Sequence, residues 1–214
     1  LIESDAILDL FENIHIKPDE TKKHIVVDVA LHGSDIYRAA VFYGNVLVDH
    51  IAMAKSGGKD VLQKINDLRI KHGIRASAVI YDADGVGGFI GGAGGFISGA
   101  IAFHGNAAPI KINRDKNRTF ANLKSQCGFL LADDINEGLL WAKGVSEETD
   151  AEMLSEELAW IKKVDTGDAP LKLKSKTEIK MELGRSPDFS DLFLMKKMYD
   201  IKNSRPRSKG RGVN

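Results

Sequence analysis

The chain has 214 residues, enough for one well-buried core with decorations. Hydrophobic residues make up 43% and charged residues 28%, the balance of a globular domain rather than a disordered or fibrous chain. Thirty basic residues against thirty acidic give a formal charge of zero, which argues against a protein that wraps nucleic acid by bulk charge. No apolar run approaches the roughly 20 residues a membrane span needs; the longest weakly polar stretch, Val79 to Ala102, is broken by Asp82, Asp84 and many glycines. The single cysteine, Cys127, rules out an intrachain disulfide and fits a reducing cytoplasm. No signal peptide is visible, and Leu1 in place of methionine points to a piece of a longer protein. The charge is unevenly spread. Acids gather at Glu147, Glu148, Asp150, Glu152, Glu156 and Glu157, whereas bases gather at Lys172 to Arg185 and again at Arg205 to Arg211. A neutral total therefore leaves room for a local phosphate-binding face.

The predicted elements run as follows. Ile2 to Phe11 carries apolar residues at helical spacing and ends before Pro18. His24 to Ala30 is an apolar run rich in β-branched residues, which predicts a strand buried on both faces. His32 to Asp35 is a turn. Two further strands, Tyr37–Tyr43 and Val46–Met53, flank the tight-hairpin dipeptide Gly44-Asn45, giving a three-stranded antiparallel meander. Val61, Leu62, Ile65 and Leu68 mark a helix that stops at His72-Gly73. A strand over Ala76 to Tyr81 ends at Asp82, and a right-handed crossover makes it parallel to its partner. Ala100 to Phe103 is a fifth strand. Helical regions follow over Thr119–Trp141 and Glu147–Trp160, then a hairpin of Ile161–Asp165 and Leu171–Lys174 around Gly167-Asp168. Ser186 is placed as N-cap and Pro187 as first residue of a last helix through Tyr199. Beyond Lys202 the chain is polar, basic and poor in apolar residues, as a disordered tail is. The division expected is a linker helix over 1–20, one α/β domain over 21–202 and a basic tail over 203–214.

Three carboxylate positions carry the chemistry. Asp28 lies in the first buried strand, where an unpaired acid costs several kcal/mol. Asp82 ends the fourth strand just ahead of Gly85-Val86-Gly87, and Asp188 and Asp191 lie about one turn apart on the last helix. If the first and fourth strands are neighbours, Asp28 and Asp82 meet, and the last helix packing across them adds Asp191. Clustered carboxylates repel unless cations neutralise them, and hard oxygen ligands suit Mg²⁺ or Mn²⁺. Such a cluster can hold two ions, one activating water and one stabilising the leaving oxygen of a phosphodiester.

The order of these motifs resembles the RNase H-like nuclease fold, and their local text resembles the C-terminal nuclease domain of phage terminase large subunits. His24-Ile-Val-Val-Asp-Val-Ala-Leu-His-Gly-Ser-Asp35 is similar to the family's first motif, and Tyr81-Asp-Ala-Asp-Gly-Val-Gly-Gly88 to its second. Phe120-Ala-Asn-Leu-Lys-Ser-Gln126 resembles the helix downstream, and Leu183-Gly-Arg-Ser-Pro-Asp-Phe-Ser-Asp191 the third motif. The likeness spans His24 to Tyr199. It departs at Asp191-Leu192-Phe193, where the family reads Asp-Ala-Leu, and in the glycine-rich stretch after Gly87, where the family has a helix. The resemblance implies a mixed central sheet flanked by helices and a metal-dependent endonuclease cutting concatemeric viral DNA during genome packaging. Asp28, Asp82 and Asp191 would hold two Mg²⁺ or Mn²⁺ ions, with Asp188 assisting. The implied partners are double-stranded DNA, the terminase ATPase domain of the same full-length chain, the small terminase subunit and the portal. The implied place is the host cytoplasm, with the isolated domain monomeric and no membrane involved.

Other readings stay open beside it. A Holliday-junction resolvase-like nuclease shares the carboxylate layout, and a non-catalytic nucleic-acid or nucleotide-binding module can use the same fold. Asp84 competes with Asp82 as a ligand, and Asp35 is either a turn residue or a further ligand. No P-loop is present, and no lysine lies within Gly85–Gly99, so that stretch reads as close backbone packing rather than a phosphate loop. His32, His72 and His104 lack zinc-ligand spacing, and Cys127 reads as a core cysteine. Lys174, Lys176 and Lys180 read either as DNA-lining or as a solvated basic face. The acidic segment Glu147 to Glu157 reads as solvated surface.

Overall fold

The computed structural model describes residues 1–29, 36–54, 57–84, 86–91, 95–112 and 118–203. Helix α1 (Ser4–Glu12) precedes β1 (Lys23–Asp28), β2 (Tyr37–Tyr43) and β3 (Val46–Met53), the expected meander. Helix α2 (Gly58–His72) then leads through a short 3₁₀ turn to β4 (Val79–Asp82), followed by β5 (Ile101–Phe103). The sheet order is β3-β2-β1-β4-β5, with β1–β4 and β4–β5 parallel. Gly44 closes the β2–β3 hairpin at φ +62°, and Gly73 ends α2 at φ +64°; both are left-handed positions that favour glycine.

The alternation within β1 decides the layers. Ile25 and Val27 face one side with Val41, Val79 and the α2 residues Val61, Ile65 and Leu68. Val26 faces the other side with Ala40, Phe42 and Ile80, the larger core. That parity continues to Asp28 and Asp82, which share the side of Val26 and Ile80. On this side lie α3 (Leu123–Asn136), α4 (Glu148–Ala159) and α6 (Asp188–Asn203). Helix α6 runs across β1, β2 and β4 and is covered by α3 and α4, so Phe189, Leu192 and Phe193 are fully buried. Each contributes on the order of 1.5–3 kcal/mol of burial free energy. A helix so enclosed also carries buried lysines, satisfied by Lys196 on Asp200 and Lys197 on Asp134. The N-terminal segment read as a linker helix seats Ala6, Ile7 and Leu10 in this same core. Cys127 is buried in it too, as its apolar face required.

Several boundaries differ from expectation. The helix expected over Thr119–Trp141 is only α3: Asn122 caps it by accepting from the Ser125 amide, and Gly138 turns the chain at φ +64°. Outside it, Phe120 and Trp141 bridge Leu171 and Val46. The expected hairpin shrinks to β6 (Lys163–Val164) and β7 (Lys172–Leu173). A helix not foreseen, α5 (Lys176–Leu183), starts from a capping box in which Ser175 and Glu178 satisfy each other's amides. The expected cap of α6 is also corrected. The helix begins at Asp188, and its free Phe189 and Ser190 amides donate to Glu157 of α4, at 2.8 and 2.7 Å. The turn at His32–Asp35 and the tail beyond Asn203 lie outside the described residues.

Candidate active site

The site forms where the C-terminal ends of β1 and β4 meet the N-terminal turn of α6. The last β1–β4 pair is Val27 with Tyr81, so Asp28 and Asp82 stand one step further along neighbouring parallel strands, on the α6 side. Asp188 and Asp191 occupy the first turn of α6, where the helix dipole favours acids. Asp28, Asp188 and Asp191 are all less than a tenth exposed.

One cation joins three of these acids. The Lys176 ammonium, on the first residue of α5, lies 3.3 Å from Asp28 Oδ2, 3.1 Å from Asp188 Oδ1 and 3.0 Å from Asp191 Oδ2. A second ammonium, Lys124 on α3, lies 2.8 Å from the other oxygen of Asp191. Burial pushes the Asp28 carboxyl up to about 7; Lys176 opposes the shift, while Asp191, Asp188 and Asp82 add to it. Burial also raises Asp82, against the amide of Asp84 that it accepts. For Asp191 burial acts the same way, but Lys124 and Lys176 outweigh it and hold this carboxyl below its usual range. Lys176 is held protonated: burial disfavours its charge, and Asp191, Asp28 and Asp188 more than restore it.

Carboxylate oxygens supply the whole acidic donor set, a hard set of the kind that Mg²⁺ and Mn²⁺ take. Among the described residues no three acidic, histidine or cysteine side chains stand ready as an ion cage. Lys176 stands between the acids as their counter-cation. Its position shows that Asp28, Asp188 and Asp191 can address one positive centre together, so the residues fit a divalent ion that displaces it.

In front of the acids lies a cavity of about 370 Å³, lined by Lys124, Lys172, Lys174 and Lys176 together with Asp82 and Asp191. Of these four lysines Lys124 and Lys176 pair with the acids, and Lys172 and Lys174 line the groove beside them. Asp84 lines the groove too, but its oxygens accept from the Gly105 amide at 2.7 Å and meet His104 Nδ1 at 3.0 Å. Asp35 lies outside the described residues. In the glycine-rich stretch the packing is close at Gly91 and Gly95 but not at Gly88: a Cβ on Gly91 would come within 2.6 Å of the Tyr81 ring, beside Asp82, whereas one on Gly88 would meet nothing within 4 Å.

Sequence reasoning named the four aspartates but missed how three other residues act. From the sequence Lys176 reads either as a DNA contact or as part of a solvated face; in the structure it stands among the acids. The Ser175-Lys-Thr-Glu178 capping box is a signal for the start of α5, though not for the acids Lys176 meets. Lys124 follows the Asn122 cap by two residues and had no signal of its own. Glu157 belongs to the segment read as solvated surface, yet it is only 1% exposed. Burial pushes its carboxyl up to about 7, opposed by the Ser190 amide and by Arg185, which grips it.

No family model matches the chain, and none of the curated proteins matches it. Solved structures do. The nuclease domain of the large terminase subunit of bacterial virus Sf6 aligns at a TM-score of 0.73 and 21% identity, over 92% of this chain and 97% of that one. A lysine-to-alanine mutant of that domain, with manganese and beta-thujaplicinol, gives 0.76 at 20% identity over the same shares. The large terminase nuclease from thermophilic phage G20c with bound magnesium gives 0.52 at 14% identity, over 90% of this chain and 94% of that one. The chain has the RNase H-like fold of phage large-terminase nuclease domains.

Proposed function

We propose that this domain is a metal-dependent endonuclease that hydrolyses DNA phosphodiester bonds, cutting concatemeric viral DNA during genome packaging. The observation that carries the reading is the convergence of Asp28, Asp188 and Asp191 on one positive centre, with Asp82 beside them. Asp28, Asp82 and Asp191 would hold two divalent ions, Mg²⁺ or Mn²⁺, with Asp188 assisting, and such ions would supply activation of water and charge compensation at the phosphate. The protein's own part is to bring buried carboxylates together at the floor of a groove. Lys124 keeps one oxygen of Asp191 engaged, which fixes that carboxylate's orientation. Lys172 and Lys174 on the groove wall hold the DNA backbone; such contacts position phosphates without reading bases, so cleavage by this domain is nonspecific.

Manganese, magnesium and calcium are named with the terminase nucleases of similar fold, which supports a divalent ion here. By the same reasoning the domain works joined to a packaging ATPase of its own chain, with a small terminase subunit and a portal as partners. No described helix is long and apolar enough to cross a membrane. The test is a plasmid assay with EDTA, Mg²⁺ or Mn²⁺, with linear duplex and a four-way junction as parallel substrates. Nicking or linearisation in either metal, none in EDTA and no preference for the junction are expected. Cleavage unchanged in EDTA would overturn the metal mechanism.

A further inference from the structure

Resting on the nuclease reading, we propose that Glu157 of α4 is a positioning residue, which fixes the first turn of α6 so that Asp188 and Asp191 converge on the cation. An α-helix leaves its first amides without partners, and a side chain just before the helix ordinarily takes them. Here the donors come from Phe189 and Ser190, the two residues between Asp188 and Asp191, and both point to one oxygen of Glu157. The acceptor therefore reaches in from another helix, more than thirty residues earlier in the chain. Its other oxygen is gripped by Arg185, three residues ahead of Asp188, whose second nitrogen donates to the Met153 carbonyl at 3.2 Å. So the segment entering α6 and the first turn of α6 are both bound to a single buried carboxylate.

The strand side is tied to the same helix. Arg38 on β2 is the register partner of Asp28 and is almost fully buried. Its guanidinium stacks over the Phe189 ring at 4.6 Å and donates to Asp150 and Met153 of α4 at 3.4 and 2.8 Å. One face of α4 thereby sets both the strand pair that bears Asp28 and the helix that bears the other two acids. Glu157 acts on the acids through the α6 backbone amides it accepts from.

The experiment measures Mn²⁺ binding to the intact chain by calorimetry, without DNA, alongside urea unfolding. The variants are Glu157→Ala, Glu157→Gln and the control Leu154→Ala. Glu157→Ala should weaken Mn²⁺ binding by at least about tenfold, the scale for residues that orient metal ligands. Glu157→Gln keeps a carbonyl oxygen for the two amides but turns an NH₂ toward Arg185, so it should bind more tightly than Glu157→Ala and less tightly than wild type. Leu154→Ala removes a buried side chain of the same helix and should lower stability with Mn²⁺ affinity retained. Unchanged affinity in Glu157→Ala, or an equal loss in Leu154→Ala, overturns the proposal. Should Glu157→Ala fail to fold, Glu157→Asp keeps a charge for Arg185 but withdraws the oxygen from the amides, and wild-type affinity there overturns it equally. Wild-type protein that binds Mn²⁺ but leaves DNA intact defeats the nuclease reading and leaves the positioning role to be decided by the same variants. Wild-type protein that binds no Mn²⁺ defeats both.

Discussion

Replacing Asp28 by asparagine should abolish cleavage and, in metal-free buffer, make the domain more stable. The magnitude follows from the carboxyl's displacement from 3.8 to about 7 in the fold. Below the ordinary value the acid is protonated in both folded and unfolded chains, and an isosteric asparagine changes little. As the pH rises the unfolded chain ionises first, while the folded chain keeps its proton, so wild-type stability falls until the pH passes about 7. The variant escapes that loss. Its advantage should be larger at pH 8 than at pH 5 and on the order of a few kcal/mol there, a sizeable part of the roughly 5–15 kcal/mol typical of a domain. Urea unfolding in EDTA at the two pH values measures the difference directly. Excess Mn²⁺ should then reverse the order, because an ion that binds only the folded wild type stabilises it in proportion to the logarithm of its concentration. A variant less stable than wild type at pH 8, or an advantage independent of pH, would show that Asp28 is a satisfied structural acid and refute the reasoning.

The opposite change concerns the cation. Lys176→Ala removes the shared partner of Asp28, Asp188 and Asp191, so metal-free stability at pH 8 should fall and Mn²⁺ should restore it; melting temperatures with and without Mn²⁺ decide, and equal losses in both count against the cation's role. Gly144→Ala places a Cβ 2.6 Å from the Val48 carbonyl carbon of β3, where backbone must move. A loss of about 1–3 kcal/mol is expected in urea unfolding, and wild-type stability would contradict that close approach. For DNA contact, Lys172→Ala with Lys174→Ala should reduce the slope of log affinity against log salt by about two, near one for each phosphate released. An unchanged slope takes the DNA path off this groove. Removing Ser204 to Asn214 in a parallel series tests whether the basic tail adds to that slope or serves a protein partner.

How much of this was legible depends on the distance over which a signal acts. The β1 run Ile25-Val26-Val27 told of burial on two faces, and parity along it put Asp28 on the side of Val26. The same local logic gave the meander, the parallel β4 and the acids at the start of α6. In segment 147–157 the acids Glu147, Glu148, Glu152 and Glu156 are exposed as expected, and the exceptions follow the helical period. Asp150, Leu154 and Glu157 fall on one helical face, and the acids between them point elsewhere. Reading that stripe would have shown an acid turned inward, although not the amides it meets on α6. The pairing of Lys176 with Asp28 joins residues 148 apart, and no local pattern reports it. What the sequence exposed was a demand: buried acids at the end of a parallel strand pair and on a crossing helix, needing positive charge. It did not say which positive charge answers. In the fold a lysine answers, and on the nuclease reading lysine and divalent ion would be rivals for one position. Metal affinity should therefore reflect the strength of that ammonium's hold as well as the acids themselves, which is why removing Asp28 and removing Lys176 are expected to move metal-free stability in opposite directions.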